Sequence, residues 1–293
     1  MKPGGGVINR GLLFLLIAVL PWGSQMAPGA EMAAGDRLAP FKEMLGQQGY
    51  GPERCYLKGR FIVSPQAAYA LRVDLHEPGI EFLTTPSNAD KPLDTDGRTT
   101  SRFLEEFKCQ AAVNASPFSP IHEGDGAPKD VLGLSVSRGD AYSGPNDVYG
   151  ALIITEDNRA RIAKPPVDAA GAYNAVGGFG LLLEEGTDAG SNGERNPRTV
   201  AGVSKNGRYL YLLVIDGRQG NYSTGATTSE TAQWLLRLGA WSGLNLDGGG
   251  STSMVVADES GKAQLVNRPI HNNIPGLERV NANHLGIYAT PLK

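Results

Sequence analysis

The chain has 293 residues, 41% of them hydrophobic and 19% charged, with 27 Lys and Arg against 30 Asp and Glu. Those proportions exclude a disordered chain, and the slight acidity excludes the basic footprint of a nucleic-acid binder. The 39 glycines predict many tight turns and favour a strand-rich fold over a helical bundle.

The first signal along the chain is one of export. Lys2 and Arg10 give a positive start, Gly11 to Leu20 is an unbroken apolar run, and small residues continue to Ala34. This is the layout of a signal peptide over residues 1–30, cleaved between Ser24 and Ala34. The run is short for an uncleaved anchor, which needs roughly 20 apolar residues. No later segment is apolar enough to cross a membrane, so a secreted or periplasmic protein is expected. Residues 31–54 read as a polar leader, and the folded domain is expected over 55–293. In an oxidising compartment the two cysteines, Cys55 and Cys109, read as one disulfide. Neither sits in a motif for a nucleophilic thiol.

Within that domain, Phe61 to Val63, the alternating Tyr69 to Leu75, and Ile80 to Thr84 read as strands. The stretch Thr100 to Cys109 reads as a helix with Phe103 and Phe107 one turn apart on one face. Val131 to Ser137 reads as a strand ended by Arg138-Gly139-Asp140, and Ala151 to Thr155 with Ala160 to Ala163 as a hairpin. Thr199 to Ser204 and Tyr209 to Ile215 flank Asn206-Gly207, the strongest short-range hairpin signal. Thr227 and Glu230 have capping-box spacing and open a helix that Gly239 closes. A short strand, Leu244 to Leu246, leads to Asp247 and three glycines, and Ser251 to Ala257 resumes a strand. The mixture predicts a single α+β domain with largely antiparallel sheets and a few flanking helices.

Chemistry concentrates at the ends of these strands. Gly248, Gly249 and Gly250 in succession mark a site needing positive φ or close backbone approach, and consecutive N–H groups there would form a nest for an anion such as phosphate. Asp247 before them, and Ser251 and Thr252 after them, add a carboxylate and two hydroxyls. Asp216-Gly217-Arg218 ends another strand, where the Asp could act on a sugar or water and the Arg could hold a phosphate oxygen. Asn196-Pro197-Arg198-Thr199 and Glu278-Arg279 are further polar clusters. His122, Glu123 and Asp125 lie close together, but no second His stands at ligand spacing, so no transition metal is expected. Ca²⁺ on acidic loops leaves a diffuse signature and stays open. No nucleophile elbow, Walker loop or dinucleotide fingerprint occurs, and no cofactor is expected to be required.

Val176-Gly177-Gly178-Phe179-Gly180, Pro197 to Val203, Leu212 to Arg218, Asn245 to Ser251 and Glu278-Arg279-Val280-Asn281, in that order, resemble the phosphodiester glycosidase family. The resemblance is strong from Ala175 to Ala289 and reaches back toward Cys55. Where similar proteins carry an Asn-Gly-Gly-Phe-Phe-like segment, this chain has Asn114-Ala115-Ser116-Pro117-Phe118, keeping the Asn and replacing the glycines. The resemblance implies hydrolysis of a sugar-1-phosphodiester at its anomeric bond, on a GlcNAc-1-phosphodiester-like substrate or an envelope sugar-phosphate polymer. On that footing Asp216 and Asp247 are the expected catalytic carboxylates. Asn114, Arg198, Thr199, Arg218, Asn245, Gly248, Gly249, Gly250, Ser251, Thr252 and Arg279 are the expected substrate and phosphate contacts. An ordinary glycosidase and a non-catalytic polysaccharide-binding envelope protein are the alternatives. The sequence names neither the sugar nor the oligomeric state.

Overall fold

The computed structural model describes residues 66–122 and 124–289, together with the backbone of Leu12–Ile17, Cys55–Leu57 and Arg60–Ile62. The expected signal-peptide cleavage, the leader, the domain boundary near Cys55, Glu123 and the Cys55 side chain lie outside the described residues. Among the described residues Cys109 is a buried thiol without a disulfide partner, and burial pushes its pKa up to about 11.

The principal elements are β1 (Ala68–Asp74), β2 (Glu81–Thr84), α1 (Thr100–Phe107), β3 (Ala111–Asn114), β4 (Ser135–Ser137), β5 (Asp140–Ser143), β6 (Gly150–Ile154), β7 (Ala160–Ala163), β8 (Asn174–Gly178), β9 (Gly180–Glu184), β10 (Arg198–Ser204), β11 (Tyr209–Ile215), α2 (Thr228–Leu238), β12 (Ala240–Asn245), β13 (Met254–Ala257), β14 (Ala263–Leu265) and β15 (His284–Tyr288). They build three main sheets. The first runs β1-β11-β10-β12-β9, with the backbone of Leu12–Ile17 beside β1. The second runs β5-β4-β8-β6-β7, and the third β14-β13-β3-β15-β2. Neighbouring strands pair antiparallel in all three. The α+β expectation holds, with two short helices as the helical share.

The long apolar run of β11 follows from burial on both faces. Leu210, Leu212 and Val214 point into a core shared with Leu152 and Val176 of the second sheet and Val113 and Leu285 of the third. Tyr211, Leu213 and Ile215, one residue out of phase, meet Trp234 and Leu235 of α2 on the opposite face. Helix α1 covers the far side of the third sheet through Phe103 and Leu104. A reciprocal capping box fixes the start of α2: the Thr227 hydroxyl accepts from the Glu230 amide at 3.1 Å, and Glu230 accepts from the Thr227 amide at 3.0 Å. Gly239 ends the helix at φ 97°.

Two strand expectations needed adjustment. The run Val131 to Ser137 is broken: Pro128–Val131 pairs into a small separate sheet, and the second sheet begins only at Ser135. After Asp247 the chain turns through a short 3₁₀ segment, Gly249–Ser251, before β13 starts at Met254. In both places the periodicity is interrupted by residues whose backbone serves a neighbouring strand or loop. Leu132 donates to Pro117, and the Asp247 amide donates to Ala115 at the end of β3.

The antiparallel register brings several chain ends to one edge. Arg198, opening β10, stands opposite Ile215, which closes β11, while Val200 stands opposite Asn245, which closes β12. Gly180, opening β9, also faces Asn245. Loops leaving these ends share one side of the first sheet.

Candidate active site

A cavity of about 320 Å³ opens at that edge, lined by Phe179, Glu194, Asn196, Arg198, Arg218, Asn245, Asp247, Gly248, Gly249, Gly250 and Arg279. The β8–β9 corner supplies Phe179, the approach to β10 supplies Glu194 to Arg198, and the exit of β11 supplies Arg218. The exit of β12 supplies Asn245 to Gly250, and the loop before β15 supplies Arg279.

Asp247 is the half-buried carboxylate on the cavity wall, and Glu194 is the exposed one. The Asp247 amide donates to Ala115 at 2.8 Å, and the preceding Leu246 amide donates to Thr199 at 2.9 Å, so Asp247 is clamped between the first and third sheets. Burial pushes its pKa up to about 6, against the pull of the Ser251 hydroxyl, the Arg279 cation and the Gly248 amide. Asn114 secures the same point from below. Fully buried, it donates to the Asp247 carbonyl at 2.6 Å and accepts from the Thr199 hydroxyl at 2.7 Å and the Ser253 amide at 3.1 Å.

Three guanidinium groups surround this carboxylate. Arg198 donates to the backbone carbonyls of Ala226 at 2.9 Å and Glu194 at 3.0 Å. Arg218, at φ 58°, donates to the side-chain oxygen of Asn196 at 2.9 Å. Arg279 donates to Nδ1 of His271 at 3.2 Å and to the Ser251 hydroxyl at 3.3 Å. Among the described residues none of the three makes a salt bridge. Burial lowers the pKa of Arg198 and of Arg279, and in each case the charge on Arg218 adds to the effect. Such a cluster, hydrogen-bonded only to neutral acceptors and with Asp247 as its one nearby counter-charge acting on Arg279, is built to receive an anion.

Two of the three glycines make room for arginines, and the third for the Pro197 backbone. The expected amide nest is largely taken up internally, because the Gly249 amide donates to the Pro197 carbonyl at 2.9 Å and the Gly248 amide to the Asp247 carboxylate. What the site requires is the missing side chains. A Cβ on Gly248 would lie 2.6 Å from the Pro197 oxygen. One on Gly249, at φ 61°, would press on the Arg218 guanidinium at 3.2 Å, and one on Gly250 would collide with that of Arg279. Gly250→Ala is therefore expected to weaken pyrophosphate binding about tenfold or more by displacing Arg279. Calorimetric titration measures this, and unchanged affinity would show that Arg279 does not hold the anion.

Of the residues expected from sequence, Arg198, Arg218, Asn245, Asp247, Gly248, Gly249, Gly250 and Arg279 line the cavity. Asn114, Thr199, Ser251 and Thr252 lie buried behind it. Asp216 is elsewhere. It is 1% exposed, and its two carboxylate oxygens accept from the Asn267 amide side chain at 2.8 Å, the Arg268 backbone amide at 2.9 Å and the Tyr222 hydroxyl at 3.1 Å. Burial raises its pKa to about 6 against those donors. The second carboxylate bordering the cavity is Glu194, which sequence reasoning passed over. Phe179 was also missed as a lining residue, although an aromatic between two glycines was a visible signal. Asp125 of the acidic loop pairs with Arg102.

A family model described as phosphodiester glycosidase matches residues 107–288, more than half of the chain. The chain belongs to the phosphodiester glycosidase family. The family is one of hydrolases, and the fold agrees with that of solved structures. The zebrafish N-acetylglucosamine-1-phosphodiester alpha-N-acetylglucosaminidase catalytic domain, auto-inhibited by its pro-peptide, superimposes with a TM-score of 0.60 at 18% identity, over 82% of each chain. A Burkholderia pseudomallei protein described as exported matches with a TM-score of 0.56 at 17% identity, over 79% of this chain and 75% of its own. A hypothetical protein from Synechocystis matches at 0.54 and 17%, over 82% of this chain and 61% of its own. Among curated proteins no sequence matches. The phosphodiester glycosidase match takes in Asn114, Asp216, Asp247 and all three cavity arginines. Among the described residues no helix is long and apolar enough to cross a membrane.

Proposed function

We propose that this protein hydrolyses the C1–O bond of a sugar-1-phosphodiester, with Arg198, Arg218 and Arg279 holding the phosphate and Asp247 acting at the anomeric carbon. The observation that carries the reading is the convergence of three guanidinium groups, none of them in a salt bridge among the described residues, on a cavity that also holds the Asp247 carboxylate. A phosphate monoester leaves readily once its charge is held, so protonation of the leaving oxygen matters less than in ordinary glycoside cleavage. Ionised Asp247 either bonds C1 directly, giving a glycosyl ester that a water then hydrolyses to free the carboxylate, or takes the proton of a water whose oxygen bonds C1. The C1–O bond breaks, the sugar gains a hydroxyl, and the phosphate departs as a monoester against the arginines. Glu194, on the cavity rim, is the second carboxylate available for proton transfer. Asp216 holds the Asn267–Arg268 segment in place. A signal peptide over residues 1–30 would deliver the enzyme to envelope or extracellular sugar phosphates.

The test is release of free GlcNAc from UDP-GlcNAc and from a GlcNAc-1-phospho-methylmannoside, set against nitrophenyl glycosides. Turnover of the phosphodiesters alone is expected. Turnover of the nitrophenyl glycosides alone would make this an ordinary glycosidase, and inactivity on all of them, with sugar-phosphate polymer still bound, would make it a binding protein.

A further inference from the structure

The anion site occupies only part of the cavity, and the remaining wall has a different chemistry. Phe179 is 47% exposed, an unusual position for a phenyl ring in a corner between two buried strands. Its backbone amide donates to the Asn245 carbonyl at 2.8 Å, which fixes the corner to the end of β12. Its ring meets Tyr149 nearly edge-on, with centroids 5.8 Å apart and planes at 63°. That contact braces the ring without stacking over its face. Beside it on the cavity wall stands Asn245, more than nine-tenths buried. The Asn245 Oδ1 has no donor, and among the described residues its Nδ2 has no acceptor. A buried carbonyl oxygen left without a donor is costly, and the cost is relieved when the amide turns it toward a donor on a ligand. Oδ1 is the enclosed end and Nδ2 the accessible one, and because no hydrogen bond among the described residues locks the amide, its rotation exchanges donor for acceptor at the cavity.

We infer that Phe179, braced by Tyr149, and the amide of Asn245 form a pyranose subsite adjoining the arginine cluster. The ring takes the C–H face of a hexose, and the amide bonds a ring substituent, either a hydroxyl or an acetamido group. The inference rests on the proposed reading of the cavity as a sugar-phosphate site, and it adds where the sugar lies and which side chains select it. The arginines supply affinity for any phosphate, whereas Phe179 and Asn245 discriminate a sugar phosphate from a plain one.

Binding of two probes to the full chain separates these roles. Pyrophosphate reports on the arginines alone, and GlcNAc-1-phosphate reports on both regions. Phe179→Ala is expected to weaken GlcNAc-1-phosphate roughly tenfold while leaving pyrophosphate unchanged. Phe179→Tyr, which keeps the aromatic face, should restore the sugar phosphate, and Phe179→Leu should not. Because the side chain is exposed, these variants are expected to fold, and their melting temperatures check it. Equal losses for both probes, or no loss for either, would overturn the subsite, as would failure of the wild type to bind GlcNAc-1-phosphate more tightly than pyrophosphate. Phe179-dependent sugar binding in a protein that hydrolyses no phosphodiester would keep the subsite and sink the hydrolysis. Hydrolysis with an unchanged KM in Phe179→Ala would do the reverse.

Discussion

Asp247→Asn is expected to abolish turnover of a sugar phosphodiester and, in the same molecule, to make the protein harder to melt. Loss of a positioned carboxylate base or nucleophile costs roughly 10²–10⁴-fold in rate. The gain in stability has its origin in the same group. Burial holds the Asp247 pKa near 6 in the folded state, above the ordinary value of 3.8. A folded-state pKa above the unfolded one means that the native protein binds the proton more tightly. The fold therefore gains stability as pH falls through 6 toward 4, and above 6 it carries the full penalty of the ionised group. The gap between those two values corresponds to roughly 2–3 kcal/mol at neutral pH. An amide of the same shape escapes most of that penalty, so Tm should rise by several degrees at pH 7. The advantage should shrink near pH 4.5, where the wild-type carboxyl is largely protonated. In the wild type, kcat/KM should rise through about pH 6 to a plateau, following ionisation of Asp247. A rate that falls through pH 6 would make Asp247 a proton donor instead, and an Asn variant less stable than wild type at pH 7 would refute the strained carboxylate.

The second large effect is expected at Asp216 and has the opposite character. Removing its carboxylate leaves the Asn267 amide, the Arg268 backbone N–H and the Tyr222 hydroxyl without their common acceptor in a site 1% exposed. Abandoned buried donors cost about 1–3 kcal/mol each when nothing replaces the partner. Partial relaxation brings the expected loss for Asp216→Ala to roughly 3 kcal/mol, or about 6–12 °C in Tm for a domain of this size. The surviving folded fraction should turn over substrate at nearly the wild-type kcat, because the carboxylate does not border the cavity. Thermal melts read alongside kcat corrected for the active fraction decide the matter. A variant with normal Tm and no turnover would return Asp216 to the chemistry.

The contrast between these two aspartates shows where sequence reading stopped. Both follow an apolar residue at the end of a strand, and both precede glycine. The strands they follow, β11 and β12, even belong to the same sheet. What separates them is a partner 51 residues downstream in one case, Asn267, and a position above Asn114 in the other. Neither relationship leaves a local trace. By contrast, the β10–β11 hairpin was legible because Asn206-Gly207 specifies its turn within two residues, and α2 because Thr227 and Glu230 are three apart. The glycine triplet was legible as a site needing positive φ or close approach, but not as to what approaches it. A run of glycines says that side chains must be absent, but only the fold shows that guanidinium groups fill the space. Arg279 was legible only through the family resemblance, whereas Phe179 lies between two glycines and Glu194 in a stretch with no periodicity, so the place of these two on the cavity wall was a property of the folded chain alone.

Asn114 illustrates how an interior hydrogen-bond hub constrains the manufacture of a protein. It heads the sequon Asn114-Ala115-Ser116, yet its side chain is fully enclosed and bonded to Asp247, Thr199 and Ser253. A eukaryotic secretory pathway attaches glycans to the emerging chain, before this strand has found its place. An oligosaccharide there could not be housed between the sheets, so every modified molecule would be diverted from the native state. The second sequon, at Asn221, is exposed and would carry a glycan harmlessly. Recombinant yield of this protein should thus be governed by the host's glycosylation machinery, with bacterial export the compatible route.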